Sequence, residues 1–217
     1  NLPICSSPEI YSNKGNCNFT GYYPTGFGGI KSKGNVKNGF KDGDWLLYRG
    51  NGQLWQKGSY IKSSKEGMWN TYNFGNLISS GIFKNGQKEG LWQEYYQSGQ
   101  LLSKANYKNY KEEGWWISYY GNGDIEFNGN YQNGKREGKW TYYYINKKLS
   151  IIGAYKNDKK DGLWIYYNQN GDISSKLYFN EGKISEPINF ATLLETKKNE
   201  VKTLKPKLKT NIQPKST

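Results

Sequence analysis

The chain has 217 residues, 35% of them hydrophobic, with a formal net charge of +13, eight tryptophans, twenty tyrosines, two cysteines and no histidine. The missing histidine excludes Ser-His-Asp and Cys-His nucleophilic arrangements and the usual imidazole metal sites. No apolar run approaches the roughly 18 residues of a membrane-spanning helix, and the glycines recur at turn positions instead of gathering into a phosphate-binding loop.

The chain opens Asn1-Leu2-Pro3 without an initiator methionine, which points to removal of an upstream segment. Cys5 and Cys17 both precede the periodic region. In an exported protein such a pair closes one disulfide, and in a cytosolic one it leaves two free thiols. Two cysteines without histidine cannot complete a closed zinc site. Residues 1–33 therefore read as an N-terminal cap, ending in a degenerate hairpin around Tyr22 to Gly26.

From residue 34 the chain is periodic. Trp45, Trp69, Trp92, Trp116, Trp140 and Trp164 are separated by 24, 23, 24, 24 and 24 residues. A fixed period of that length is the mark of a repeat array, which offers a long regular surface and no built-in catalytic cleft. Each tryptophan is preceded at minus two by a glycine (Gly43, Gly67, Gly90, Gly114, Gly138, Gly162) and at minus three by a carboxylate (Asp42, Glu66, Glu89, Glu113, Glu137, Asp161). A tyrosine stands three residues after each, followed by a turn such as Asn51-Gly52 or Asn122-Gly123, where only Asn146-Lys147-Lys148 lacks glycine among the Asn-led turns. Then come an aliphatic residue and a small residue shortly before an aromatic, as in Gly58-Ser59-Tyr60, Ala105-Asn106-Tyr107 and Gly129-Asn130-Tyr131.

Asn-Gly between aromatic and β-branched runs predicts hairpins with type I′ turns. Trp and Tyr three apart fall on opposite faces of a regular strand. A twist or bulge must bring them together, or the sheet buries rings on both sides. The glycine at minus two favours a bulge or a close backbone approach. The expected fold is all-β: an elongated single sheet of six or seven antiparallel hairpin units, roughly 60 Å long.

The recurrent acids could suggest a glycosidase pair. Their fixed place in the repeat instead predicts a structural role, capping backbone N–H groups at the turns. The repeat tryptophans are expected to pack within the sheet, although a row of rings can also stack on sugars or on choline. Trp55 and Trp115 lie outside the register and are the candidate surface contacts of the array. Neither a catalytic residue nor a cofactor is expected.

The unit Gly-x-Trp-x-x-Tyr, turn, Leu, Gly-x-Tyr-x-Asn-Gly-Lys-x-Glu-Gly resembles the MORN repeat, and most closely a 24-residue bacterial variant found in YwqK-type antitoxin-like proteins. The clearest copies run from Gly81 to Leu101 and from Gly129 to Leu149. The resemblance implies a scaffold, a membrane-associated organiser or a partner-binding arm. The segment around Cys5 and Cys17, ahead of the first Gly-x-Tyr, is similar to the start of exported bacterial MORN proteins. That likeness implies a Cys5–Cys17 disulfide and a periplasmic or cell-surface location.

The array is expected to end at residue 186. Residues 187–205 carry Phe190, Leu193, Leu194, Val201 and Leu204 on one helical face, which predicts a short amphipathic helix covering the last strand edge. Residues 206–217 read as a basic disordered tail. Of the net charge, +5 falls in residues 191–217, and Lys197, Lys198 and Lys202 are further candidate contacts. Another protein is the first expected partner, either assembled on the array as on a scaffold or blocked by it as by an antitoxin- or immunity-like inhibitor. An anionic membrane or cell-wall polymer reached through the basic terminus is the second, and end-to-end self-association through open edges is the third. The repeat already accounts for the aromatics, which argues against nucleic acid. Neighbour coupling further predicts that Trp116→Ala, mid-array, destabilises more than Trp164→Ala near the end.

Overall fold

The computed structural model describes residues 4–5, 15–24 and 29–185. The predicted helix at 187–205, the tail at 206–217 and Lys197, Lys198 and Lys202 all lie outside the described residues. The first strands are β1 (Ile4–Cys5), β2 (Cys17–Tyr22), β3 (Ile30–Lys37), β4 (Phe40–Tyr48), β5 (Leu54–Ile61), β6 (Ser64–Asn73), β7 (Asn76–Lys84) and β8 (Gln87–Tyr95). They are followed by β9 (Leu101–Lys108), β10 (Lys111–Tyr119), β11 (Ile125–Gln132), β12 (Lys135–Tyr143), β13 (Leu149–Lys156), β14 (Lys159–Tyr167), β15 (Ile173–Asn180) and β16 (Lys183–Ser185).

All sixteen form one sheet in strict sequence order, every pair antiparallel except the short parallel β1–β2. At ~4.8 Å per strand gap the stack extends about 70 Å. Residues 1–33 contribute β1, β2 and the start of β3 to this same sheet. Cys5 and Cys17 are joined by a disulfide that ties β1 to β2, with Cα atoms 5.7 Å apart.

The two edges turn differently. On one edge the strands are joined by two-residue turns with positive φ at both positions, as at Asn38-Gly39, Asn85-Gly86 and Asn133-Gly134. These are the type I′ connections that match the twist of antiparallel strands. On the other edge, Asn51-Gly52 and Asn122-Gly123 belong to three-residue loops, in which only the glycine has positive φ. There the Asn carboxamide oxygen accepts the N–H two residues on, as Asn51 does from Gln53 at 3.1 Å. Lys147 takes that left-handed position itself, at φ 67°.

Gly43 and its five equivalents sit at φ between 65° and 82°, and the ladder slips by two residues around each. On β4, for example, Asp42 pairs with Asn35 while Trp45 pairs with Gly34. The bulge precedes the tryptophan and does not bring it onto the face of the following tyrosine. Trp45 packs instead against Phe19 and against Tyr60 of the next strand, with ring centroids 5.6 and 5.9 Å away.

Each unit is also stitched to the next along both edges. The carboxylates of Glu66, Glu89, Glu113 and Glu137 accept the backbone N–H of Asn85, Asn109, Asn133 and Asn157, at 2.8 to 3.2 Å. On the opposite edge the hydroxyls of Tyr96, Tyr120 and Tyr144 donate to the carbonyls of Tyr119, Tyr143 and Tyr167. All these bonds span 19 to 23 residues, so each unit holds its immediate neighbour, as expected of a solenoid-like array.

Candidate interaction surface

One face of the sheet carries a ladder of rings. Phe19, Trp45, Tyr60, Trp69, Phe83, Trp92 and Tyr107 follow one another at centroid distances of 5.0 to 6.4 Å, mostly edge to face. Tyr131, Trp140, Tyr155, Trp164 and Phe179 continue it beyond the middle. Edge-to-face pairs add about 0.5–1.5 kcal/mol each beyond the area they bury.

A small residue makes room for each tryptophan. A Cβ added to Gly34, Gly58, Gly81, Gly129 or Gly153 would lie between 2.1 and 2.4 Å from Cδ2 of Trp45, Trp69, Trp92, Trp140 or Trp164. The indoles lie flat across bare backbone. There each Nε1–H donates to the carbonyl ten residues back (Asn35, Ser59, Ile82, Asn130, Ala154) at 3.0 to 3.2 Å. All five tryptophans are buried.

A cation then roofs the rings. Lys41 Nζ lies 4.5 Å from the Trp45 centroid and 5.0 Å from Tyr60. Lys65, Lys88 and Lys160 sit 4.0, 4.3 and 4.4 Å from Trp69, Trp92 and Trp164, while Arg136 lies 4.0 Å from Tyr155. The ammonium faces the negative π surface while its stem covers apolar area. Burial pulls the Lys41 and Lys65 ammonium groups below the ordinary lysine value, helped by the neighbouring charges of Lys31 and Lys41 respectively.

The fourth unit breaks this pattern. Ala105 replaces the glycine opposite Trp116, and Trp116 is only half-buried, its Nε1–H enclosed without an acceptor. Among the described residues no ring contact joins Tyr107 to Trp116, and Trp116 meets Tyr131 tilted at 41°, with centroids 5.2 Å apart. The roofing position is Glu112 instead of lysine or arginine. Tyr107 lies within hydrogen-bonding reach of that carboxylate. Burial first, then the charges of Glu112 and Glu94, push its hydroxyl up to about 12. Beside the break, Ser103 and Ser118 are buried and hydrogen-bonded to Glu94 and Glu126, at 3.3 and 2.9 Å.

The other face is open. Met68 and Ile82, which are direct register partners, are 56% and 43% exposed, and Leu91 and Trp115 are 47% and 64% exposed. Pairing places Lys57 and Lys104 on this same side, opposite Leu46 and Ile117. Trp115 thus stands exposed on this face, at the β10 end of a row of apolar side chains that begins with Met68 on β6. Trp55 is 40% exposed at the bulge between β4 and β5, with the Arg49 guanidinium 5.9 Å from its ring. Among the described residues, no three Cys, Asp or Glu side chains gather as metal ligands.

The sequence reading missed the roofing cations, the glycine seats and Glu112. The signal was present: the position four before each tryptophan reads Lys, Lys, Lys, Glu, Arg, Lys.

The hairpin unit, with its glycine bulge and ring ladder, coincides with a known repeat. A MORN repeat variant family matches residues 41–62, 88–109, 136–157 and 160–186. This chain is a MORN-repeat protein. MORN repeats generally mediate protein or membrane interactions and are generally non-enzymatic. No curated protein matches the sequence. Among solved structures, a chain of a GtfA/B complex bound to UDP and GlcNAc aligns at 11% identity and a TM-score of 0.24. The alignment covers 63% of this MORN chain and 26% of the other, a likeness too slight to bear on fold or activity.

Proposed function

We propose that this MORN protein is an exported, non-catalytic scaffold that binds another protein across the open face of its sheet. The carrying observation is the exposed stripe of Met68, Ile82, Leu91 and Trp115. They share one open face, interrupted on β9 by Asn106, the register partner of Leu91, and exposed apolar groups set among polar ones in this way mark an interaction site. The lysines beside it favour a partner with acidic groups around its apolar contact. The Cys5–Cys17 disulfide supports an oxidising compartment. The inter-unit stitches supply the rigidity that keeps such a surface ordered.

The test is affinity capture from the native envelope fraction with three baits: the full chain, residues 1–188, and the double variant Met68→Ser, Trp115→Ser. One stoichiometric protein held by the first two and lost from the third supports the scaffold reading. Lipid or wall polymer held by the full chain alone would instead assign binding to the basic terminus. Equal capture by all three would remove the open face from the function.

A further inference from the structure

In five units the chain closes its ring face with its own lysine or arginine, and in the fourth it offers a carboxylate at that position. The roofing lysines bridge their own tryptophan and the aromatic of the next strand, as Lys65 does between Trp69 and Phe83. The corresponding rings in the fourth unit are Trp116 and Tyr131, in contact at 5.2 Å. Glu112 is the direct register partner of Tyr107, as Lys65 is of Tyr60, which sets its side chain on the ring face, and its charge acts on the hydroxyls of both Tyr107 and Tyr131. Among the described residues Glu112 forms no ion pair.

We propose that the fourth unit is a binding site for a lysine or arginine side chain of a partner polypeptide. That side chain takes the seat between Trp116 and Tyr131 which the other units fill for themselves, with Glu112 as its counter-ion. Two π faces and a carboxylate are complementary to a cation, and the carboxylate adds a demand for N–H donors. Ammonium and guanidinium groups meet that demand, and a quaternary ammonium does not.

A polypeptide also brings a carbonyl, the acceptor that Trp116 Nε1–H lacks. Trp116 is the one repeat tryptophan not tied to the backbone through its indole nitrogen, and so the one free to turn toward a ligand. The net positive charge of the chain does not oppose this, because charges beyond about 8 Å are largely screened at physiological salt; of the near charges among the described residues, Glu112 has no ion-pair partner while Arg136, the register partner of Tyr131, is ion-paired to Asp158. The site lies on the face opposite the Trp115 stripe and stands independently of that surface.

The probe is a capped glycine-arginine-glycine tripeptide, titrated into the full chain while the indole N–H signals are followed by NMR. The Trp116 signal is identified by its loss in Trp116→Phe. We expect a saturable shift confined to Trp116, with a dissociation constant on the order of 1 mM. A glycine-glutamine-glycine control should give none.

Glu112→Gln should weaken binding about tenfold or more, equivalent to ~1.4 kcal/mol. Glu112→Lys should abolish it by filling the seat from within, while the other indole signals stay in place. Equal binding to Glu112→Gln, shifts spread over all the tryptophans, or no saturable shift would each overturn the proposal. Tetramethylammonium binding more tightly than the arginine tripeptide would overturn the assignment to a polypeptide.

Discussion

The methyl group of Ala105 faces Trp116 at the register position where Trp45, Trp69, Trp92, Trp140 and Trp164 each meet a glycine. One carbon atom accounts for the break in the ladder. A Cβ at this place would overlap an indole lying flat, so Trp116 tilts, loses its backbone acceptor and stays half-buried. The buried hydrophobic residues accordingly fall into two clusters, one from Cys5 to Trp92 and one around Trp140 and Trp164.

Ala105→Gly is therefore expected to stabilise the protein. Glycine inside a strand ordinarily costs about 0.5–1 kcal/mol relative to alanine. Satisfying a buried donor returns about 1–3 kcal/mol, and deeper burial of the ring adds to that. The net gain should be about 1 kcal/mol, read as a higher urea midpoint together with a blue-shifted tryptophan emission. A lower midpoint with unchanged emission would mean that something other than the methyl group holds Trp116 out.

The reverse change should reproduce the break elsewhere. In Gly129→Ala the new methyl would lie 2.1 Å from Cδ2 of Trp140. The ring must move and give up its bond to the Asn130 carbonyl, at a cost of about 2–3 kcal/mol. Gly52→Ala makes a useful contrast: nothing lies within 4 Å of the added Cβ there, and only its φ of 81° resists. Calorimetry should rank Gly129→Ala as the more damaging of the two, and the opposite ranking would remove the seat from the argument.

Burial predicts the opposite order to the one expected from position in the array. Trp164 is 1% exposed, hydrogen-bonded to the Ala154 carbonyl and in contact with Tyr155 and Phe179. Among the described residues, the one ring contact of Trp116 is the tilted one with Tyr131. Trp164→Ala should cost about 3–5 kcal/mol and Trp116→Ala markedly less, by equilibrium denaturation. A greater loss at Trp116 would restore neighbour coupling as the governing effect.

These cases mark what the sequence could and could not tell. The period, the hairpins and the capping role of Glu66 or Glu137 follow from one residue type recurring at one position, and the exposure of Trp115 from its standing outside that register, so they were legible. The ladder was harder to see, because a tryptophan seated on Gly58 and roofed by Lys65 joins residues that carry no joint signature along the chain. Which Asn-Gly turns are type I′ depended on loop length, since Asn51-Gly52 and Asn85-Gly86 look alike locally. The fourth unit was legible only as a departure: Ala105 and Glu112 are ordinary residues until their columns are compared across the six copies.

Alkaline pH should weaken the fold through its tyrosines. Tyr107 holds its proton up to about 12 in the folded chain, chiefly through burial and then through Glu112 and Glu94; an unfolded tyrosine releases it near 10. Between those values the folded state binds more protons than the unfolded one, so stability falls as pH rises through the window and is fully present only below it. Tyr60, Tyr131 and Tyr142 are raised by burial in the same direction. Lys41 and Lys65, lowered by burial, act oppositely: the unfolded chain holds the proton that the folded one has lost, so they favour the fold as pH climbs toward the ordinary lysine value of about 10.4. The two trends succeed one another: the lysine gain is complete near pH 10, where the tyrosine loss begins. The urea midpoint should therefore rise as pH approaches 10 and then drop toward pH 12, with Tyr107→Phe showing a shallower drop. A variant that tracks the unmodified protein throughout would show that Tyr107 titrates alike in both states and that the Glu112 carboxylate does not act on it.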